Sequence, residues 1–216
     1  MGAGPLPDDV LVTNMSTSET VTLGDAINSL YEIAVVERRT TSTIRLRGLA
    51  NYCVQQLALR GLPDTETEVT LPGGGRPKQW DVAWTLHQKP RLAISLKSIL
   101  QNLAGTVPNR IDDLMGEVAN LQMYSPEIAI GYVMVFDVSK DRARKVGPGT
   151  WCDFLRDRLT ELSSRRAPSW SVGMIEAFAI VQVDFSVGPI IVTEESEIHR
   201  MFDRLTQEVQ RRNPSL

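Results

Sequence analysis

The chain has 216 residues, 42% of them hydrophobic, with 23 Lys and Arg against 26 Asp and Glu for a net charge of −3. That length and apolar content support a substantial core, and the slightly acidic balance excludes a protein that coats nucleic acid by bulk electrostatics. Two cysteines, Cys53 and Cys152, each inside an apolar helical pattern, exclude a disulfide framework and a thiolate metal site and predict two reduced thiols.

Residues 1–22, rich in Gly, Pro, Ser and Thr, are expected to form an N-terminal arm ahead of a single domain over 23–216. Met1 to Met15 carries neither a basic start nor a signal-type apolar core, so a cytoplasmic protein is expected. Leu23, Ile27, Leu30 and Ala34 recur at helical spacing, and so do Leu46, Leu49, Ala50, Cys53 and Leu57 up to a stop at Gly61. Glu66 to Leu71 alternates and closes at Pro72-Gly73-Gly74-Gly75; Trp80 to Leu86 alternates in turn, with Trp80, Val82, Trp84 and Leu86 on one face. Together these predict a hairpin.

After His87-Gln88-Lys89-Pro90, a third strand over Arg91 to Lys97 sets Leu92, Ile94 and Leu96 on one face and Ala93, Ser95 and Lys97 on the other. Pro108 and Asn109 then introduce a helix with Ile111, Leu114, Met115, Val118 and Leu121 as its apolar stripe, ending near Tyr124-Ser125-Pro126. The nearly unbroken apolar run Ile128 to Phe136 marks a central strand covered on both faces. It is too short to span a bilayer, so no membrane partner is expected. Trp151 to Leu162 reads as a helix and Met174 to Phe185 as another buried strand. Ile198, Met201, Phe202, Leu205 and Val209 mark a closing helix. The predicted fold class is α/β, a central mixed β-sheet flanked by helices.

The candidate chemistry lies in this middle stretch. Asp81 projects from the pleat face opposite Trp80 and Val82, and a neighbouring strand carries Ser95 and Lys97 on a shared face. On the following helix Glu117 falls roughly 95° from the centre of the apolar stripe, a boundary position from which it can look into a cleft at the sheet edge. Hydrolysis of a phosphodiester needs a hard cation such as Mg2+, held by one or two carboxylates plus waters, and a positive group near the phosphate. Asp81 and Glu117 would ligate the metal with the Leu96 carbonyl, while Lys97 stabilises developing charge. Asp113 is a reserve ligand, and Glu68 and Glu37 rank lower as supporting acids. Asn102, Asn109 and Arg110, after the lysine, are candidate contacts to a phosphate backbone, as are Arg76 and Lys78 before the first acid. Basic groups also occur at Arg38, Arg39, Arg45 and Arg47, at Lys140, Arg142, Arg144 and Lys145, and at Arg165 and Arg166. Each is weighed against an ordinary solvated surface. His87 and His199 are too few and too separated for a zinc site, and Trp80 and Trp84 read as core.

These residues resemble the PD-(D/E)XK, or restriction-endonuclease-like, nuclease superfamily. Its core of a helix, a three-stranded meander, a helix and a fourth strand (αβββαβ) is similar to residues 40–137, a little under half of the chain. The usual second acid, two residues before the lysine, is replaced here by Ser95, and Glu117 resembles the acid that has migrated to the following helix in some members. The resemblance implies catalytic roles for Asp81, Ser95, Lys97 and Glu117, and a Mg2+ cofactor with Mn2+ as substitute. It further implies a homodimeric endonuclease that cuts double-stranded DNA in a type II restriction or related defence role. The alternative is a catalytically inactive nuclease-fold module that binds DNA or a protein.

Overall fold

The computed structural model describes residues 20–39 and 43–214. Six strands form one mixed sheet in the order β1 (Glu66–Leu71), β2 (Lys78–Leu86), β3 (Lys89–Ile99), β4 (Ala129–Asp137), β5 (Ala177–Asp184) and β6 (Ile190–Ile191). The pairs β3–β4 and β4–β5 are parallel and the outer pairs antiparallel. The helices are α1 (Leu23–Tyr31), α2 (Arg47–Ala58), α3 (Leu103–Tyr124), α4 (Trp151–Leu162) and α5 (Glu195–Arg212). The fold is α/β with a mixed sheet flanked by helices, and from α2 to β4 the elements run helix, three strands, helix, strand. No helix among the described residues is long and apolar enough to cross a membrane.

β4 sits at the centre, every residue buried, because parallel strands need both faces covered. Its Ala129, Val133 and Val135 join the core under α1, α2 and α5, while Ile130, Tyr132, Met134 and Phe136 join the core under α3 and α4. Gly131 lets α5 approach: a Cβ there would lie 2.6 Å from Leu205 Cδ1. Capping boxes open α1, with Thr22 and Asp25, and α4, with Thr150 and Asp153.

Several boundaries depart from the sequence expectation. Residues 1–19 of the expected arm lie outside the described residues, and Thr22 already caps α1. The first helix ends in a π-helical turn over Glu32–Val36. α3 begins at Leu103 rather than at Pro108, with Asn102 before it in left-handed conformation at φ 50°. Pro108 lacks the N–H of its turn, but Leu103 and Val107 are buried in line with Ile111, Leu114 and Val118, and packing of that stripe carries the helix through. β5 starts at Ala177 instead of Met174, since Ile175 donates its N–H to the Leu162 carbonyl and the Met174 carbonyl accepts from Gln122. His87 and Gln88, both at positive φ, form a two-residue turn with Leu86 opposite Lys89.

Arg165, grouped with Arg166 as surface charge in the sequence, is buried. Its Nη1 lies 2.8 Å from Glu176 Oε1 and 3.0 Å from the Ile128 carbonyl, and Arg212 reaches the same Glu176 oxygen at 2.8 Å. Glu176 Oε2 accepts the Ile130 N–H at 2.6 Å. One carboxylate thus ties the loop before β5 and the end of α5 to the start of β4. Glu176→Gln should lower the free energy of unfolding by about 3 kcal/mol, because it leaves buried guanidiniums without their counter-charge. Urea denaturation with an unchanged m-value checks this.

Candidate active site

The site begins where β2 parts from β3. The β2–β3 ladder runs from Val82 opposite Ile94 to Leu86 opposite Lys89, whereas β2 stays paired with β1 down to Lys78. At the point of parting stands Asp81. Across from it on β1, Glu68 adopts φ 56°, between the regular pairs Thr67–Val82 and Val69–Trp80. The strand twists there, so Trp80 packs with Leu71 and Ala83 under α3, while Val82 and Trp84 pack under α1 and α2. This corrects the expectation of one face shared by Trp80, Val82 and Trp84. The backbone N–H of Leu96, left without a β2 carbonyl, donates instead to Asp81 Oδ2 at 2.7 Å. The N–H and C=O of a strand residue point the same way, so the Leu96 carbonyl faces this gap too.

Ser95 and Lys97 face α3, as their alternation with Leu96 requires. There they meet Glu117: Ser95 Oγ donates to Oε2 at 3.3 Å, and Lys97 Nζ lies 3.6 Å from the same oxygen. The other oxygen of Glu117 pairs with Lys78. Lys78, a phosphate contact in the sequence reading, therefore belongs to the acid–ammonium cluster. Its position is set by the glycine-rich turn, which docks on α3 through Asn120: Oδ1 accepts the Gly75 N–H at 2.8 Å and Nδ2 donates to the Arg76 carbonyl at 2.9 Å. A Cβ on Gly73 would lie 2.1 Å from Asn120 Nδ2. Only a glycine permits that approach.

Asp81 looks into a cleft of about 410 Å3 bounded by Arg45, Glu68, Leu96, Lys97 and Arg110. Burial raises the Asp81 pKa above its ordinary value, with the negative Glu117 acting in the same sense; the Leu96 hydrogen bond and the Lys97 charge oppose them. The charges of Lys97 and Glu117 thus both reach Asp81. Glu117 itself opens on an adjoining hollow with Arg76, Lys78 and Asn120.

Arg110 lines the main cleft and pairs with Asp113 at 3.1 Å. Asp113 does not line that cleft but borders a separate hollow with Asn102, Asn109 and Arg110. Asn102 is exposed just before α3, and Asn109 is exposed within it. Arg76 is exposed at the glycine turn. Glu68 lines the cleft, whereas Glu37 pairs with Arg39 at 3.3 Å and is not among the cleft's lining residues. Arg144 lies 4.0 Å over the Phe154 ring. Among the described residues no three His, Cys, Asp or Glu side chains gather as a metal-binding group. The oxygens of Asp81, Glu117 and the Leu96 carbonyl are nevertheless the hard donors that suit Mg2+, which takes one or two carboxylates and keeps waters.

The fold brings two further residues to the site that the sequence did not place there, one of them read only as a member of a basic group. Arg45, in the short 3-10 turn Thr43–Leu46 before α2, lines the cleft. Tyr132 stands opposite Ser95 in the β3–β4 ladder, 1% exposed, and its buried hydroxyl has no partner among the described residues. Its phenol feels Arg110, Glu117, Asp113 and Asp81, and burial pushes its pKa far upward. It remains neutral. Inside an apolar run, a tyrosine gives no signal that its oxygen ends beneath a cluster of charges.

Comparison with protein-family models, curated proteins and solved structures finds no match.

Two stability outcomes follow from this geometry. Tyr132→Phe removes an unsatisfied buried hydroxyl and should leave stability unchanged or raise it by about 1 kcal/mol in urea denaturation. Because the folded-state pKa of Asp81 is raised above 3.8, the protonated form favours folding, and that contribution is lost as pH rises through the raised value. Asp81→Asn, whose side-chain oxygen can still accept from Leu96, should be more stable than wild type at neutral pH. The difference should vanish on acidification below 3.8, as thermal unfolding across pH would reveal.

Proposed function

We propose that the protein is a Mg2+-dependent endonuclease that hydrolyses phosphodiester bonds of double-stranded DNA. One observation carries the reading: the Asp81 carboxylate and the Lys97 ammonium line one solvent-open cleft where two strands part, and Lys97 is paired in turn with Glu117, which opens on the adjoining hollow. Asp81, Glu117 and the Leu96 carbonyl would hold the metal. When bound, the ion withdraws charge from the scissile phosphate and lowers the pKa of a water.

The chain's own groups set the stage for the phosphate. Lys78 and Lys97 balance the two acids, so an incoming phosphodiester meets a near-neutral site rather than an anionic one. Lys97, the looser of the two partners of Glu117, is the ammonium free to turn toward a phosphoryl oxygen and stabilise charge there. Ser95 orients the Glu117 carboxylate from below. The Leu96 N–H fixes Asp81 so that one of its oxygens is directed by the backbone and the other is left for a ligand. Cutting both strands of a symmetric target takes two such sites, which a homodimer supplies, and a restriction or defence role fits that activity.

A second reading, a nuclease-fold module that binds DNA or protein without cutting, draws on the engagement of Glu117 by both lysines. Supercoiled plasmid separates the two. The enzyme should convert it to nicked and linear forms in Mg2+ and not in EDTA, and Lys97→Ala or Glu117→Gln should slow cleavage by about 100-fold or more. Full activity of Lys97→Ala, or cleavage in EDTA, would overturn the hydrolytic reading; binding without cleavage under any divalent ion would establish the second.

A further inference from the structure

At the far end of β3, just beyond Lys97, a small pocket of about 140 Å3 is lined by Arg45, Ser98, Leu100, Gln101, Thr106 and Arg110. Two guanidiniums and two hydroxyls border it, and among the described residues no carboxylate lines it. The arginines come from opposite layers of the fold: Arg45 from the turn before α2, on the face of α1 and α2, and Arg110 from α3 on the other face. They meet because β2 has parted from β3 and left the end of the sheet open between the layers.

Like charges brought together in a partly buried pocket need a reason, since each disfavours the other. Burial, and then the charge of Arg110, both lower the pKa of Arg45. Arg45 Nε donates to Ser98 Oγ at 3.2 Å. Arg110 commits Nη1 to Asp113, but its Nε is buried with no hydrogen-bond partner among the described residues. A buried donor left unsatisfied costs about 1–3 kcal/mol. An anion with several acceptor oxygens would satisfy that donor and screen the two cations from each other, and the planar fork of arginine matches a phosphate in two-bond geometry.

We infer that Arg45 and Arg110 form a phosphate-binding subsite that grips the phosphodiester adjacent to the one at Asp81 and Lys97. Both arginines also line the cleft that holds Asp81 and Lys97, so pocket and cleft adjoin and one strand would run from one to the other. The placement within a DNA strand rests on the nuclease reading; the anion chemistry does not. Holding the neighbouring phosphate fixes the strand along two points instead of one, which is how binding remote from the reacting bond becomes orientation at it.

The test has two arms, each run on the full chain as wild type, Arg45→Gln and Arg110→Gln. In the first, thermal unfolding is followed in inorganic phosphate and in sodium chloride of equal ionic strength. Phosphate should raise the wild-type Tm saturably, and both variants should lose the rise. In the second, duplex DNA is bound in EDTA over a range of salt. Each variant should weaken binding by about tenfold and reduce the slope of log K against log salt by about one. If either glutamine variant fails to fold, Arg→Lys at the same position keeps the charge, loses the fork and should still give up the phosphate effect. A wild-type Tm that phosphate raises no more than chloride, or variants with unchanged duplex affinity and slope, would overturn the subsite even if plasmid cleavage survives. A phosphate effect that needs both arginines, in a chain that neither binds nor cuts DNA, would instead overturn the strand assignment together with the nuclease reading and leave a pocket for free phosphate.

Discussion

Everything in the candidate site depends on the separation of β2 from β3 below Val82. β3 cannot follow β2, because it is held along most of its length by the buried parallel ladder to β4, while β2 continues with β1. The parting leaves a backbone donor at Leu96 that must be satisfied, since an unpaired buried N–H is costly. The Asp81 carboxylate satisfies it. The hydrogen-bonding needs of the sheet therefore fix an acidic side chain in a desolvated position, and the same gap admits solvent to Lys97. A carboxylate kept there against its desolvation is stability given up locally, a pattern common where a protein does chemistry.

The second organiser is α3. Its buried stripe from Leu103 to Leu121 packs on β3 and β4, and that packing sets the azimuth of everything on its flank. Arg110, Asp113, Glu117 and Asn120 follow one another at intervals of three or four residues along one edge of the helix. Arg110 borders the cleft and Asp113 pairs with it, Glu117 collects two ammoniums, and Asn120 anchors the glycine turn. The acid on α3, rather than one on β3, gives the helix control over how far Glu117 stands from Asp81.

The parts of this arrangement legible in the sequence are those written as periodicity. Alternation over Leu92 to Lys97 sets which face Ser95 and Lys97 take, the unbroken run to Phe136 announces a doubly covered strand, and the helical angle of Glu117 puts it at the rim. What periodicity does not carry is tertiary. Pro108 has the signature of a helix start, but burial of Leu103 and Val107 outweighs the missing hydrogen bond. Trp80 reads as co-facial with Trp84 because a strand reads as regular until its partner strand departs from it. Arg165 reads as surface charge because its partner, Glu176, and the carbonyls it reaches are distant along the chain or hidden in the backbone. Tyr132 and Arg45 belong to the same class: their residue types are ordinary where they stand, and only the fold brings them beside charges of sequence-remote elements.

The docked glycine turn has a mechanical corollary. Asn120 clamps the hairpin tip to α3, and Lys78 lies on the same strand shortly after that clamp, so the tip, the lysine and the helix form a short rigid lever with its fulcrum at Asn120. Any swing of the hairpin away from the helix must first undo this hinge point, and in doing so it withdraws the Lys78 cation from Glu117. The position of the outer sheet edge and the charge balance at the acid are thus tied to one another.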